Sequence, residues 1–538
     1  MVLPTANPTK SYWIEAADSS LRDFRSSDQL PVETDVAIVG SGYAGVATAE
    51  RFGPKVAMDL IAHEMAHLPA FRDLASEEDI AEQVCLKFGE TFDAAMTDEA
   101  WARLKGALDA MRRDHGEDHD IVKQCRVVED PSEAEEVSQM KGARAAIVHP
   151  AGQMYICHPN SLSPESELWP YKFIHALLRI LLQKDNINLQ AHTPVTEVSQ
   201  RDTAGWITIT TPRGTLRARS VVHTTNRWAS HLLPEFSKLI RPDRGVVAAI
   251  KAPEGFIKRT GAQHWDAVVN NYHLQLPPPY NTIMIGGARQ LLVHTPDACH
   301  ENDAEDEHVP GVAEFFKTWP NSDVAGWVGP SQAELGKEDE QGGCWTGIQS
   351  TSADGFPFVG PVPEREGHFI AAGFAGHGMP RVLLTAAHIA PLVLSSLNIP
   401  HTTPRLAASY PPLPKPFYAT RERIDKLQEN DLAAVADAYR KRCADSAAKP
   451  FCNTPRSVVS NAAEIEERPK EQKGTGLKSC AGRTSVLSRE TETNLCPEKS
   501  RPGAFSDMGY LERALQGASI DTAPALAMGT PQDIKSGA

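Results

Sequence analysis

The sequence lacks several features that would each define a class of protein. Its nine cysteines are scattered from Cys85 to Cys496 without a C-x-x-C pair, which indicates neither a zinc finger nor a disulfide framework but reduced thiols. No stretch approaches the about 18 apolar residues that span a bilayer. The amino terminus has no basic region followed by an apolar core. The sequence therefore predicts a soluble, cytoplasmic protein.

Positive charge is also scarce. The 69 Asp and Glu residues outnumber the 54 Lys and Arg residues, and the net charge at pH 7 is -15. This balance argues against a protein that binds nucleic acid or an anionic membrane through bulk charge. A chain of 538 residues can form two or three domains with a large core. The expected partner is a small molecule.

One stretch organises the first part of the chain. The apolar run Val36–Val39 suits a buried parallel strand, and a helix-favouring run follows it. In such a motif the first glycine permits a tight turn, the second lets the backbone approach a pyrophosphate, and the third lets the helix pack on the sheet. The stretch predicts a dinucleotide site, with an ordinary glycine-rich turn as the alternative. Its G-x-G-x-x-G residues are Gly40, Ser41, Gly42, Tyr43, Ala44 and Gly45.

The acidic residue that such a site needs is not evident. A carboxylate that binds a ribose hydroxyl is expected about 20 positions after the glycines, at the end of a second strand. Glu64 has this offset. However, the apolar residues around it recur at helical spacing, and Pro54 suits a helix start. Glu64 is therefore predicted to lie on a helix.

The same segment carries a motif of a different enzyme class. The run His63-Glu64-Met65-Ala66-His67 matches H-E-x-x-H, which on a helix places two zinc ligands on one face with a glutamate as general base. Pro69 follows closely and is expected to interfere with the helix that would hold both histidines. A zinc metalloprotease remains an alternative, but a helix that happens to carry two histidines is favoured.

A second group of motifs lies between residues 344 and 379. C-W-T-G-I begins at Cys344, D-G-F-P-F-V-G-P begins at Asp354, and A-A-G-F-A-G-H-G-M begins at Ala371. This combination resembles the C-terminal signature of FAD-dependent oxidoreductases of the D-amino-acid-oxidase type, most of all fungal and bacterial amine-oxidising members. L-P-V-E-T-D-V-A-I-V-G-S-G, L-W-P-Y-K at 168–172 and V-V-H-T-T-N-R-W at 221–228 agree with it. The resemblance covers about residues 10 to 410.

The resemblance implies FAD as the cofactor. Glycines let the backbone approach the flavin ring, and the helix that follows them can stabilise negative charge on the reduced flavin. In the family, the segment matching 194–198 holds adenine and the turn matching 225–226 closes over the cofactor; plain strand-and-turn structure is the alternative. The further cofactor-binding residues that it implies are Val195, Thr225, Asn226, Gly373, Gly376, Gly378 and Met379.

The resemblance also implies a reaction. Members of this type oxidise the C–N bond of an amine or amino acid by hydride transfer to flavin, so a small-molecule amine or amino acid is the expected substrate. Trp345 and His377 are candidate walls of the substrate pocket. Arg381 is a candidate for binding a substrate carboxylate, with a position on a helix surface as the alternative.

One part of the family pattern is missing. Family members carry a second strand with the ribose-binding acid and then an Arg-Gly-Gly-like loop, whereas here A-T-A-E-R runs directly into F-G-P-K-V-A. A hydrogen bond to a charged group contributes about 1.5–3 kcal/mol, so the loss of two would weaken FAD binding by about a hundredfold to ten-thousandfold. A truncated family member with impaired FAD binding and no activity is therefore an alternative.

The expected fold class is α/β: a discontinuous Rossmann-like FAD-binding domain, a mostly antiparallel α+β substrate domain and a disordered C-terminal tail. Polar residues dominate beyond Pro411, where a helix over 419–441 is the predicted exception. The predicted segments are an arm (1–32), the first FAD-binding part (33–235, with helical and substrate-domain insertions at about 75–160), the substrate domain (236–340), the second FAD-binding part (341–410) and a low-complexity tail (411–538).

Overall fold

The structure of the protein is a computed structural model. It describes residues 9, 11–15, 20–21, 24–39, 54–86, 89–150, 168–184, 186–256, 260–277, 279–304, 307–329, 332–333 and 343–452. The first glycine motif, residues 40–45, lies outside the described residues, so its turn-and-helix geometry remains a prediction.

A six-stranded sheet forms the first domain. Its strands are β1 Glu33–Val39, β5 Glu197–Val198, β6 Ile207–Thr211, β7 Gly214–His223, β14 Phe358–Pro361 and β15 His368–Ala372. The order is β14-β15-β7-β6-β5, and β1 also pairs with β7. Both β1 and β15 run parallel to β7, as the apolar run in β1 predicts.

A nine-stranded sheet forms the second domain. Its strands are β2 Glu90–Ala95, β3 Arg126–Val128, β4 Ala145–Pro150, β8 Ile240–Lys251, β9 Gly261–His264, β10 Asn270–Gln275, β11 Thr282–Gly286, β12 Gln332–Ala333 and β13 Cys344–Ser352. The order is β12-β8-β11-β10-β9-β2-β4-β3, with β13 on β8. Only β2 and β9 pair in parallel among these described strands. The predicted α/β class with a mostly antiparallel second domain is confirmed.

The helices cover both sheets. They are α1 Tyr12–Glu15, α2 Pro54–Glu77, α3 Asp98–His115, α4 Asp120–Lys123, α5 Pro131–Ser138, α6 Pro170–Leu181, α7 Ala229–Leu232, α8 Arg289–Leu292, α9 Val312–Asp323, α10 Val382–Ser396, α11 Arg405–Ser409, α12 Arg421–Gln428 and α13 Leu432–Ala447. None of these described helices is both long and apolar enough to cross a bilayer.

Two expectations about local structure are wrong. The composition of 75–115, rich in Glu, Ala, Leu, Met and Lys, predicts helices throughout, but β2 lies there between β4 and β9, because sheet pairing outweighs the helical composition. Pro69 does not end α2, which continues to Glu77. Beyond the proline, Ala70, Phe71 and Leu74 are buried in a hydrophobic cluster, and this packing offsets the one backbone hydrogen bond that proline cannot make.

The predicted tail boundary at residue 411 is also wrong for residues 411–452. Phe417, Ile424 and Leu427 are buried against the first domain, and α12 and α13 replace the single helix expected over 419–441. Arg423 anchors this segment. Its guanidinium donates to both carboxylate oxygens of Asp354, at 2.8 and 2.9 Å, and to the carbonyl oxygen of Phe356. The sequence from residue 453 onward lies outside the described residues.

We expect Arg423→Ala to lower the free energy of unfolding by about 2 kcal/mol, because it leaves the buried carboxylate of Asp354 without its cation. Urea denaturation measures the change. The matched control is Arg421→Ala, two residues away, where the exposed ion pairs with Glu364 and Asp425 predict a change of about 0–1 kcal/mol. Equal losses in the two variants would contradict the anchoring role.

Two buried histidines lie side by side on β7 and β15. The rings of His223 and His368 stack with centroids 5.4 Å apart, and Nε2 of His223 lies 3.1 Å from Nδ1 of His368. Burial, with smaller contributions from neighbouring charges, lowers the pKa of His223 to about 3 and that of His368 to about 4. Both imidazoles are therefore neutral in the folded protein at physiological pH.

This pair predicts a loss of stability in acid. Because both folded pKa values lie below the unfolded value near 6.5, their contribution is complete above pH 6.5 and is lost as the pH falls toward 4. Each imidazole contributes a slope of up to about 1.4 kcal/mol per pH unit. Urea titrations at pH 7.5 to 4.5 should show a shallower fall for His368→Phe, and an unchanged slope for His192→Asn, which alters an exposed histidine.

Candidate functional site

Three parallel strands end at one edge of the first sheet. Val39 of β1 pairs with His223 of β7, and Ile370 of β15 pairs with the same residue. The chain after each strand therefore emerges at a common edge, where α/β sheets bind ligands. Residues 224–226 and 373–378 emerge there, and residues 40–45, which directly follow Val39 in sequence, lie outside the described residues. Sequence reasoning selected all three independently of their pairing.

Asn226 joins two of these segments. Its Oδ1 accepts hydrogen bonds from the backbone N–H of Gly373 at 3.0 Å and of Phe374 at 3.2 Å, and from the hydroxyl of Ser350 at 3.0 Å. Oγ of Ser350 in turn accepts from the N–H of Ala375 at 3.3 Å. The loop after β15 is thus fixed from its first residue. Sequence reasoning missed Ser350, because nothing in the β13 sequence indicates which residue faces this loop.

Two glycines of this loop adopt backbone conformations that favour glycine. Gly373 and Gly376 adopt φ values of 77° and 90°, a region that disfavours other residues. A Cβ at Gly376 would lie 3.3 Å from Oε1 of Gln349, so the loop is also narrow on that side. The carbonyl oxygen of Gly378 accepts from the N–H groups of Arg381 and Val382, both at 2.8 Å, and this turn leads into α10. The predicted helix after the glycines is confirmed.

The edge also presents an unsatisfied polar atom. Oγ1 of Thr225 is buried and has no hydrogen-bond partner among the described residues, next to the Asn226 bridge. A buried hydroxyl without a partner is costly, and a bound water or another polar group that satisfies it is one explanation for its presence. Val195 and Ala37 of β1 both pack against the buried cluster that contains Ile207, Ala218 and Val221 of this sheet. These residues fit a nucleotide cofactor laid across the carboxyl edge.

Arg381 lies where a substrate cannot reach it. Its side chain is fully buried, and its Nε donates to Oε1 of Glu64 on α2 at 2.5 Å, while its guanidinium packs over the ring of Phe417. Burial raises the pKa of Glu64 to about 7 against the opposing effect of Arg381. The prediction that Arg381 binds a substrate carboxylate is therefore corrected, and so is a position on a helix surface. Glu64 lies on a helix, as predicted. Because its buried carboxylate binds Arg381, it is not placed to bind a ribose hydroxyl.

His67 and Glu64 of the H-E-x-x-H motif form hydrogen bonds with other protein groups. Nδ1 of His67 lies 2.8 Å from the carbonyl oxygen of His63, and Nε2 of His67 accepts the backbone N–H of Leu384 at 3.1 Å. Both nitrogens of one prospective ligand are thus engaged, and the prospective base Glu64 binds Arg381. Within the described residues, no group of three or more His, Cys, Asp and Glu side chains could hold a metal ion. The geometry does not support the metalloprotease alternative.

The remaining predicted residues lie in two places. Trp345 is buried on β13 in a cluster with Tyr12, Trp169 and Met284, which covers one face of the second sheet. His377 is buried in the loop between β15 and α10, and Met379 packs beside the cluster that α2 and α6 share with α10. Their roles as pocket walls and cofactor contact remain predictions.

The position beside β1, on the side away from β7, is where the family pattern would place its second strand. Among the described residues β1 pairs with β7 alone, so no described strand occupies the position of the second strand of a dinucleotide-binding fold. A ribose-binding acid at the end of such a strand is likewise not found in the described part of the chain.

An α/β sheet with three parallel strands, a glycine-rich loop at their carboxyl edge and a mostly antiparallel second sheet are typical of nucleotide-dependent enzymes. Residues 60–392 match the family model of the FAD dependent oxidoreductases, the D-amino-acid-oxidase family. The chain belongs to this family, whose members use FAD, and the resemblance noted in the sequence is confirmed.

The sequence identity to individual relatives is low. Glycine oxidase from Geobacillus kaustophilus is 26% identical over 245 residues, which are 45% of this chain and 56% of the relative. The matched region thus spans little more than half of that protein. Its crystal structure aligns with a TM-score of 0.43 at 18% identity, over 72% of this chain and 99% of that one. L-amino acid deaminase from Proteus vulgaris, without its specific insertion, gives 0.49 at 14% identity, over 76% and 99%.

Proposed function

We propose that the protein oxidises the C–N bond of an amine or amino acid by hydride transfer to FAD. The observation that carries this proposal is the Asn226 bridge, which holds the Gly373–Gly378 loop at the carboxyl edge of the parallel strands. The family match and the similarity to glycine oxidase support the reaction class. The flavin, when bound, supplies the hydride acceptor.

The residues of the chain then hold the two reactants in place. Residues 40–45 and the hydroxyl of Thr225 would bind the nucleotide part, and Gly373, Gly376 and Gly378 would let the backbone approach the flavin ring. The N-terminus of α10 would stabilise negative charge on the pyrimidine side of the reduced ring. We expect Trp345 and His377 to border the space for a neutral amine, from which water must be excluded.

A second candidate is a family member that binds FAD weakly and has no activity. It is favoured by the absence of a described strand beside the outer edge of β1 and by the commitment of Glu64 to Arg381. Losing the contacts of a ribose-binding acid and a pyrophosphate loop would weaken FAD binding substantially.

One experiment separates the two candidates. The purified full-length protein is incubated with FAD, desalted and examined for a flavin visible spectrum, and flavin bleaching is then followed anaerobically with glycine, proline and simple secondary amines. Oxidation of the C–N bond predicts bleaching by at least one of them. A stable flavin spectrum that no amine bleaches would reject the proposed reaction, and a colourless protein would support the second candidate.

A further inference from the structure

The H-E-x-x-H segment of α2 has no part in the proposed reaction, yet its polar side chains are buried against α10. Arg381 precedes this helix at the N-cap position and makes no side-chain capping hydrogen bond in the described structure. Instead, Nε2 of His67 accepts the N–H of Leu384, the third residue of α10, from a position 317 residues away in sequence. An acceptor for this N–H is what an N-cap side chain normally supplies.

The tautomer of His67 is suited to this role. The carbonyl oxygen of His63 can only accept, so Nδ1 of His67 must carry the proton, and its Nε2 is left as the acceptor. Burial lowers the pKa of His67 to about 3, against hydrogen bonds with the backbone of His63 and Arg381 that act to raise it. The imidazole therefore remains a neutral acceptor throughout the physiological pH range.

Glu64 acts on the adjacent residue of the same helix end. Its carboxylate binds the guanidinium of Arg381, the residue immediately before α10. One turn of α2 thus holds both the residue before the helix and the third residue within it. Since Asn226 and Ser350 hold the first residues of the 373–380 loop, this loop is anchored at both ends.

We propose that His67 is a positioning residue for the flavin: by capping α10 it sets the place of the helix N-terminus and of the 373–380 loop in front of it. This inference rests on the proposed function, because it requires FAD to bind at that loop. The H-E-x-x-H motif is then part of the support of a flavin site, acting through backbone groups.

Three variants of the full chain test this role. His67→Phe keeps the ring volume without the acceptor, and His67→Gln retains an acceptor. The matched control is His294→Phe, which removes the hydrogen bond between a histidine and the backbone oxygen of Cys452 away from α10. The dissociation constant of FAD, the flavin absorption spectrum and the hydrogen exchange of the Leu384 amide in the FAD-free protein are measured for each.

The proposal predicts that His67→Phe weakens FAD binding by about threefold to tenfold, shifts the flavin spectrum and accelerates exchange at Leu384. His67→Gln should restore most of each value, and His294→Phe should alter none of them. Unchanged FAD affinity and an unchanged flavin spectrum in His67→Phe would overturn it. If the unsubstituted protein binds no FAD, the proposed function fails. Independently of FAD, an unchanged exchange rate of the Leu384 amide in His67→Phe would show that His67 does not cap α10.

Discussion

Replacing Arg381 with leucine should lower the free energy of unfolding by about 3–5 kcal/mol, because Glu64 would remain buried without its cation. Urea denaturation at pH 8 measures this loss. At that pH the carboxylate is ionised in the folded protein, since its pKa is about 7. The loss should be smaller at pH 6, because there Glu64 takes up a proton in the unsubstituted protein as well and the ion pair with Arg381 no longer contributes in full.

The double variant Glu64→Leu/Arg381→Met tests whether the unpaired charge causes the loss. Replacing both ions by apolar side chains of similar size removes the desolvation penalty. We expect it to recover most of the stability lost in Arg381→Leu. The matched control is Arg144→Leu, which breaks an exposed ion pair with Asp98 and should change stability by about 0–1 kcal/mol. A double variant as unstable as the single one would show that the pair is not the cause.

Asn226→Ala should lower the free energy of unfolding by about 3 kcal/mol and weaken FAD binding by about tenfold or more. The change removes the acceptor for two buried N–H groups and a hydroxyl, each of which costs about 1–3 kcal/mol when left unsatisfied. It also places alanine at a φ of 44°, which asparagine tolerates better. Denaturation and fluorescence titration with FAD measure the two effects.

Asn398→Ala separates the backbone contribution from the hydrogen bonds. Asn398 also has a positive φ, 56°, in the turn that follows α10. The control should lose at most about 1 kcal/mol and leave FAD binding unchanged. If both variants lost the same stability and FAD affinity, the bridge from Asn226 to the 373–374 backbone would not be the reason.

The sequence predicted those parts of the fold that depend on local patterns. The parallel strand at Val36–Val39, the helix starting at Pro54 and the apolar helix from Val382 all follow from periodicity and glycine placement, and the structure confirms each. The sequence also indicates the glycine loop and Asn226, whereas their contact is visible only in the structure. These residues carry signals within a few positions of themselves, so a single sequence suffices to find them.

The errors share a different physical origin. Strand β2 pairs with residues fifty or more positions away, and part of the segment 411–452 is held by the hydrogen bonds of Arg423 to the distant Asp354. Arg381 likewise owes its role to Glu64 on α2, and His67 owes its role to Leu384 on α10. Composition and spacing describe a residue's neighbours along the chain, whereas these roles are decided by partners brought close through tertiary packing.

Strand β13 pairs with β8 along nine consecutive positions and serves both halves of the molecule. Near one end it carries Trp345 in the aromatic cluster, and five residues later, about 17 Å along the strand, it carries Ser350 against the Asn226 bridge. The Ser350–Asn226 hydrogen bond thus ties a strand of the second sheet to the loops at the edge of the first. A mutation that shifts β13 is therefore expected to alter both the aromatic cluster around Trp345 and the Asn226 bridge.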